Sequence, residues 1–154
     1  MSHSIKLPEQ LCRLLDGENL EEKQGEGIQL LTQCEDGWPH CAMIGAGEMI
    51  ALQEDVLRLA LWPGTMTTGN VIRTGKATIV LVHGARIYYI RLVLVHLATL
   101  ASARHPRERF EARMEAIRED TAPYADIVCG VTYRLKQPEE VLARWRETLE
   151  ELRQ

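Results

Sequence analysis

The sequence predicts a mainly β domain of the α+β class, in which antiparallel strands form a closed or nearly closed barrel. Strand-like apolar runs follow one another closely, and tight turns join them, as at Asp36-Gly37 and at His83-Gly84-Ala85. The chain has 154 residues, which suits one domain spanning residues 1–154 and is long enough to bury a core without disulfides or metal.

A short helix is predicted over residues 8–15 at the start of the chain. Pro8 suits a first helical turn, and Gly17 suits a helix stop. The residues that follow, up to 26, are polar and contain glycine, so they are expected to form a connector. Residues 1–26 therefore form an N-terminal helix and connector ahead of the barrel.

Six strands are predicted from apolar runs bounded by turn residues. They span residues 27–34, 38–49, 56–62, 77–82, 86–100 and 126–135. Gly45 and Gly47 lie inside the second strand, where glycine often marks a bulge or the close approach of a backbone or ligand. The fifth strand is apolar on both faces, so one face is expected in the barrel interior and the other against a helix or a second subunit.

Three further helices are predicted. A short one spans residues 70–74, and a longer one spans residues 106–120, with Phe110, Met114 and Ile117 at spacings of four and three. Arg104, Arg107 and Arg109 are expected on the solvated face at the start of that helix. The last helix begins at Pro138, carries an apolar stripe to residue 152, and makes residues 138–154 a C-terminal helix.

Composition limits the classes of function. The net charge of −4 argues against a general nucleic-acid binder, which needs a basic surface. No signal peptide or membrane helix is visible, and the four cysteines are scattered, so a reduced cytoplasmic protein is expected. Cys34, His40 and Cys41 fit no zinc spacing, so no metal site is predicted.

The residues most indicative of chemistry lie between 59 and 74. A strand-like run ends in Trp62-Pro63-Gly64, a cluster of hydroxyls follows, and a helical segment carries Arg73. Free N–H groups and hydroxyls at a helix start form a seat for phosphate, so this segment indicates a phosphorylated aromatic cofactor. The hydroxyls have a second interpretation, which is that they cap the helix and its turn; they belong to Thr65, Thr67 and Thr68.

Two aromatic residues remain open in role. Trp62 is either a wall on which a ring stacks or a plain core anchor. His96, on a very apolar strand, is expected to be a hydrogen-bonded histidine in the core or at an interface. No Ser-His-Asp or Cys-His arrangement can be argued from spacing, which agrees with a cofactor that carries the chemistry and equally with a protein that is not an enzyme.

The chain resembles the pyridoxamine 5'-phosphate oxidase-like family of FMN-binding split β-barrels. Short motifs in a consistent order over about residues 27–100 carry the resemblance. They are Leu30-Leu31-Thr32, Asp36-Gly37-Trp38-Pro39-His40, Gly47-Glu48-Met49, the run from Leu57 to Thr65, Thr67-Thr68-Gly69-Asn70-Val71 and Gly75-Lys76-Ala77-Thr78. The implied fold is a six-stranded antiparallel split barrel with short flanking helices and a C-terminal helix.

The resemblance implies a homodimer with FMN bound between the subunits. The implied phosphate site lies in the loop and helix after the third predicted strand: Thr65, Thr67, Thr68, Asn70 and Arg73. The implied seat of the flavin ring lies on the second and third predicted strands: Met43, Ile44, Gly45, Ala46, Ala60, Leu61 and Trp62.

One position departs from the family pattern. Family members commonly place a Lys or Arg in the phosphate loop, where this sequence has Met66 and Gly69. The implied function is an FMN-dependent oxidoreductase that passes hydride or electrons between the flavin and a small substrate or O₂. The alternative is a non-catalytic binding module of the same fold, with the flavin lost or another ligand such as haem in its place, acting as a sensor or sequestering protein.

Overall fold

A computed structural model describes residues 4–104 and 106–154. The described residues form four helices and seven strands. In chain order these are α1 (Glu9–Leu14), α2 (Leu20–Lys23), β1 (Ile28–Gln33), β2 (Pro39–Ile44), β3 (Met49–Gln53), β4 (Val56–Leu61), α3 (Met66–Thr74), β5 (Lys76–His83), β6 (Arg86–Leu97), β7 (Glu108–Asp120) and α4 (Pro138–Arg153). No helix among them is both long enough and apolar enough to cross a membrane.

All seven strands belong to one antiparallel sheet in the order β2-β1-β5-β6-β7-β4-β3. The inward side chains of every strand join one apolar cluster, so the sheet curls around a shared core. The two edge strands, β2 and β3, are consecutive in the chain, and residues 45–48 connect them. The sheet therefore stays open between its edges, and a single short connection crosses the opening.

The predicted class, mainly antiparallel β with a C-terminal helix, is confirmed, but the count of six strands is wrong. The strand predicted over residues 38–49 ends at Ile44. The chain turns through residues 45–48 and then forms β3, of which only Met49 lay within a predicted strand. Residues 126–135 do not form the predicted strand. Their one β-bridge joins Thr132 to Glu26, which precedes β1.

The predicted helix over residues 106–120 is instead the long strand β7. Phe110 and Met114 face the core at the two-residue period of a strand, paired with His96 and Leu92 of β6. A register shift follows, because Met114 pairs with Leu92 while Ala116 pairs with Arg91. This bulge returns Ile117 to the inward face and so creates the spacing of four and three that imitates a helix.

The arginines before and within β7 are therefore not on a solvated helix face, as the sequence analysis expected. Arg107 and Arg109 are each only 7% exposed. Arg109 donates a hydrogen bond to the Ala98 carbonyl at 3.1 Å, while its Nε is buried without a hydrogen-bond partner among the described residues. Arg104 is exposed and pairs with Glu147 of α4.

Candidate functional site

The start of α3 is organised by the hydroxyl cluster that the sequence analysis singled out. Thr65 is the N-cap, and its Oγ1 accepts a hydrogen bond from the Thr68 N–H at 3.1 Å. The Thr68 hydroxyl donates to the Trp62 carbonyl at 2.6 Å. The helix therefore begins at Met66, four residues earlier than predicted. Thr65 and Thr68 act as caps in this structure, which is the second interpretation that the sequence left open.

Polar contacts fasten α3 to the end of β1. The buried Asn70 amide donates to the Thr32 hydroxyl at 3.0 Å. Arg73 donates to the Asn70 Oδ1 at 3.3 Å and also to the carbonyl of Gln33. Arg73 itself is exposed. These contacts hold an exposed guanidinium beside the first turns of α3.

A cleft of about 700 Å³, called here the α3 cleft, lies between α3 and the β1–β2 turn. It is lined by Cys34, Glu35, Asp36, Trp38, Gly64, Thr65, Met66, Gly69, Asn70 and Arg73. Trp38 is 72% exposed and Met66 60% exposed, so an aromatic and a thioether side chain border the cleft. Trp38 lay within a resemblance motif but was not predicted as a site residue.

The predicted phosphate residues lie together, whereas the predicted ring seat is divided. Thr65, Asn70 and Arg73 line the α3 cleft, and Thr67 and Thr68 are buried in the same helix. Ile44 and Leu61 point into the barrel core, and the exposed side chains of the predicted seat are Met43 and Trp62. The remaining members are covered by α4: Gly45, Ala46 and Ala60.

The sequence analysis expected a backbone or ligand to lie close to Gly45 and Gly47. In the structure the group that lies against them is the side chain of Trp145. A Cβ atom on Gly47 would lie 1.9 Å from Trp145 Cγ, and one on Gly45 would lie 2.6 Å from Trp145 Cζ2. Trp145 is 5% exposed and packs with Ala46, Ala60 and neighbouring α4 residues in a second apolar cluster. These glycines thus let α4 seat its indole over the 45–48 connection between the sheet edges.

Trp62 has one aromatic face occupied. The Arg107 guanidinium carbon lies 3.3 Å from the centre of its ring system, and that of Arg144 lies 5.9 Å away. Stacked guanidinium groups are favourable cation–π partners of indole. Trp62 is still 48% exposed, so any flat ligand that stacks on it has to use the other face.

The partly buried carboxyl of Glu48 lies near these arginines. Burial raises the pKa of Glu48, while the Gly45 N–H, which donates to Glu48 Oε1 at 3.1 Å, and the positive charges of Arg107 and Arg144 partly offset that rise. Burial, with Glu48 and Glu26 nearby, raises the pKa of Tyr133 to about 12. The sequence analysis missed this group because its members lie far apart in the chain.

The raised pKa of Glu48 gives a testable pH dependence. The folded state binds this proton more tightly than the unfolded state, so the Glu48 contribution to stability falls as pH rises from about the ordinary value of 4.5 to the folded pKa. We expect Glu48→Gln to lack this loss, so its free energy of unfolding should rise relative to wild type across that window. Urea titrations at several pH values measure the difference.

Glu140→Gln, at an exposed position in the first turn of α4, controls for the loss of one negative charge. A difference between Glu48→Gln and wild type that is constant with pH would contradict the assigned shift.

His96 lies at the end of β6 with a defined orientation. Its Nε2 is 2.6 Å from Glu108 Oε2, and its ring stacks on Phe110 at a centroid distance of 4.8 Å. The side chain is 41% exposed. His96 is hydrogen-bonded, as predicted, and it lies at the margin of the core; its location at a subunit interface stays a prediction.

Among the residues that the structure describes, no three His, Cys, Asp or Glu side chains are arranged to hold a metal ion. Cys34 Sγ lies 3.5 Å from Met66 Sδ at the α3 cleft. Cys41 is exposed and lies on β2.

Comparison with known proteins identifies relatives of this chain. No family model matches it. It is 48% identical over 147 residues to the uncharacterized protein YclD of Bacillus subtilis (strain 168), and the match covers 96% of each chain. Identity at this level over nearly the whole length shows common membership of one family.

Solved structures show the same fold at low sequence identity. A candidate pyridoxamine 5'-phosphate oxidase from Lactobacillus delbrueckii has a TM-score of 0.58 at 16% identity, covering 73% of this chain and 93% of that chain. HupZ of Group A Streptococcus has a TM-score of 0.57 at 12% identity, and the match covers 80% of this chain and 99% of HupZ. An F420 reductase has a TM-score of 0.52 at 16% identity, and the match covers 73% of this chain and 98% of the reductase. The chain therefore belongs to the family of YclD and has the pyridoxamine 5'-phosphate oxidase-like fold that its sequence motifs predicted.

Proposed function

We propose that this protein is an FMN-binding flavoprotein that works as a homodimer and carries out redox chemistry on a small substrate or O₂. The observation that carries the proposal is the α3 cleft, which places a helix start, hydroxyl groups and an arginine beside exposed apolar side chains on this fold. Its volume of about 700 Å³ falls within the range of roughly 300–1,000 Å³ usual for small-molecule sites.

The residues of the cleft fit a phosphate group. The N–H groups of Met66 and Thr67 open α3 and have no carbonyl four residues earlier in the helix to bind. The positive end of the helix dipole favours an anion at the same place. Asn70 and Arg73 line the cleft as further polar groups. The phosphate of FMN would therefore be held by backbone N–H groups, Thr65 and Arg73.

Arg73 would replace the cation that family members commonly carry within the phosphate loop. It is the cation among the residues lining the α3 cleft, where Met66 and Gly69 stand at the loop positions. Glu35 and Asp36 also line the cleft and oppose an anion. Binding of FMN should therefore depend strongly on Arg73.

Exposed apolar side chains would hold the flavin ring. Met43 and Trp62, from the predicted ring seat, keep 43% and 48% of their surface exposed, and Trp38 adds an exposed indole at the α3 cleft. Bound FMN would supply hydride or electron transfer. The chain would bind and orient the cofactor and exclude water from one face of the ring.

One observation favours the second candidate function, a non-catalytic binding module. The hydroxyls of Thr65 and Thr68 already make the caps of α3, so they bind a phosphate only by sharing or exchanging those bonds. Incubation with excess FMN, followed by gel filtration and an absorption spectrum, separates the two functions. Retained flavin bands support the proposed function. A colourless protein, or one that instead retains haem, supports the binding module.

The proposed homodimer predicts a specific contact surface. Val93 and Val95, on the outer face of β6, are 43% and 63% exposed, and soluble monomers rarely leave a contiguous apolar surface uncovered. We expect the mass of a dimer by light scattering at micromolar concentration. The double variant Val93→Lys/Val95→Lys should be monomeric, because an isologous contact would place four buried lysines together.

Val128→Lys is the matched control for that variant. Val128 is 90% exposed and lies outside the sheet, so the lysine should leave the mass unchanged. A monomeric wild type, or a double variant that remains dimeric, would refute this surface.

A further inference from the structure

A second cleft, of about 410 Å³, opens where the outer faces of β1, β5, β6 and β7 meet. We call it the sheet cleft. It is lined by Leu31, Thr32, Gln33, Thr74, Lys76, Ala77, Thr78, Arg91, Leu92 and Glu115. Two cations, one carboxylate, an amide and hydroxyls thus border one opening that the proposed function leaves without a role.

The charges of the sheet cleft have no ion-pair partner among residues 4–104 and 106–154. Other arginines on the strands are paired, as in Arg58 with Glu111, Arg86 with Glu119 and Arg113 with Asp55. Arg91 and Glu115, by contrast, line the same cleft yet form no ion pair within 4.0 Å. A cation and a carboxylate that face one opening without meeting leave room for a molecule that bridges them.

The bulge in β7 delivers Glu115 to this cleft. Met114 pairs with Leu92 and Ala116 with Arg91, so Glu115 is the extra residue of the bulged strand. A β-bulge interrupts the regular hydrogen-bond ladder and changes the direction of a side chain, and bulges are frequent beside functional sites. Without the extra residue, the strand would continue its plain alternation at this point.

The two cations are placed to bind one anion. Arg91 pairs with Thr78 across β5 and β6, and Lys76 lies two residues from Thr78 on the same face. Diagonal neighbours on adjacent strands are within reach of long side chains. Like charges at such positions repel each other, and a shared anion removes that repulsion.

We propose that the sheet cleft binds a small molecule that carries an anionic group, phosphate or carboxylate, together with a hydrogen-bond donor such as an ammonium or hydroxyl group. Arg91 and Lys76 bind the anion, and the Glu115 carboxylate accepts from the donor. Charge-assisted hydrogen bonds of this kind are the strong ones in proteins. Binding at this site requires no flavin. The cleft borders the proposed dimer surface, because Val93 pairs with Lys76 across β5 and β6.

The position of the sheet cleft relates it to the α3 cleft. Gln33 borders the sheet cleft, and its carbonyl accepts from Arg73, which lines the α3 cleft. Where FMN binds as proposed, the occupant of the sheet cleft lies beside the cofactor site and is its candidate substrate; this one step rests on the proposed function.

Calorimetric titration of the flavin-free protein with O-phosphoethanolamine, which carries both groups, tests the proposal. We expect saturable binding with a Kd below about 1 mM, one molecule per protomer. Arg91→Gln should weaken it about tenfold to a hundredfold. Glu115→Gln should weaken O-phosphoethanolamine similarly, but it should not weaken the binding of inorganic phosphate, which has no ammonium group and is repelled by the Glu115 carboxylate.

Arg86→Gln is the matched control, because it removes the same charge from the same strand at a position outside the cleft. Absence of saturable binding to wild type, or equal affinities in Arg91→Gln and Arg86→Gln, would overturn the proposal. So would displacement of O-phosphoethanolamine by FMN, since the site would then belong to the cofactor. Failure to bind FMN refutes the proposed function and leaves the result of this titration standing.

Discussion

Replacing Trp145 with alanine should lower the free energy of unfolding by about 3–5 kcal/mol, the usual cost of removing a buried aromatic side chain. Trp145 is 5% exposed and joins α4 to β3 and β4 through the cluster that includes Ile50, Ala60 and Leu149. It also covers the 45–48 connection across the open side of the sheet. Urea denaturation followed by circular dichroism measures the change.

Tyr124→Ala is the control for the loss of an aromatic side chain. Tyr124 is 91% exposed, so its replacement should change stability by no more than about 0.5 kcal/mol. If Trp145→Ala were as mild as Tyr124→Ala, α4 would not be docked on the sheet as described.

A double-mutant cycle with Gly45→Ala tests whether glycine is needed at position 45 because the Trp145 indole packs against it. In wild type the added methyl group would lie 2.6 Å from Trp145 Cζ2, so it should destabilise by about 1–3 kcal/mol. In the Trp145→Ala background the ring atoms are gone, and the cost should fall to what remains from the Tyr133 hydroxyl, which would lie 2.7 Å from the added methyl group. Additive effects of the two changes would separate Gly45 from Trp145.

The sequence predicted most of the barrel, because tight turns and apolar runs are local signals. The sequence analysis predicted a helix in place of β7, and the cause of this error is also local. The bulge at Glu115 converts a period of two into spacings of four and three, so a strand imitates a helix unless its pairing with β6 is known. Residues 126–135 have strand-like composition, but they form one isolated bridge, to Glu26 before β1, rather than a ladder with a strand of the sheet.

The site was predictable where its residues are neighbours in the chain and not where distant segments meet. The cap formed by Thr65 and Thr68 follows from residue spacing. The stack of Arg107 on Trp62, by contrast, joins residues 45 positions apart, and the contact of Trp145 with Gly45 joins residues 100 positions apart. The strand glycines signalled a close approach correctly, but a single sequence does not distinguish a ligand from a side chain.

Replacing Arg73 with glutamine should weaken FMN binding about tenfold to a hundredfold, because one hydrogen-bonded charge contact to an anion contributes roughly 1.5–3 kcal/mol. The side chain is exposed and its present contacts are the Gln33 carbonyl and the Asn70 amide oxygen, so the variant should remain folded. Quenching of FMN fluorescence measures the affinity. Binding by the variant should also depend less on salt, since a charge contact has been removed.

Two matched variants make this result specific to the α3 cleft. Arg86→Gln removes an exposed arginine that pairs with Glu119 on the sheet and should bind FMN as wild type does. Thr67→Val nearly preserves volume and keeps the caps made by Thr65 and Thr68, so it tests the remaining threonine without dismantling the start of α3. Thr68→Val is less informative, because it also breaks the buried bond to the Trp62 carbonyl. If wild type binds FMN and Arg73→Gln binds it equally well, the phosphate lies elsewhere. If wild type binds no FMN, the cofactor proposal itself fails.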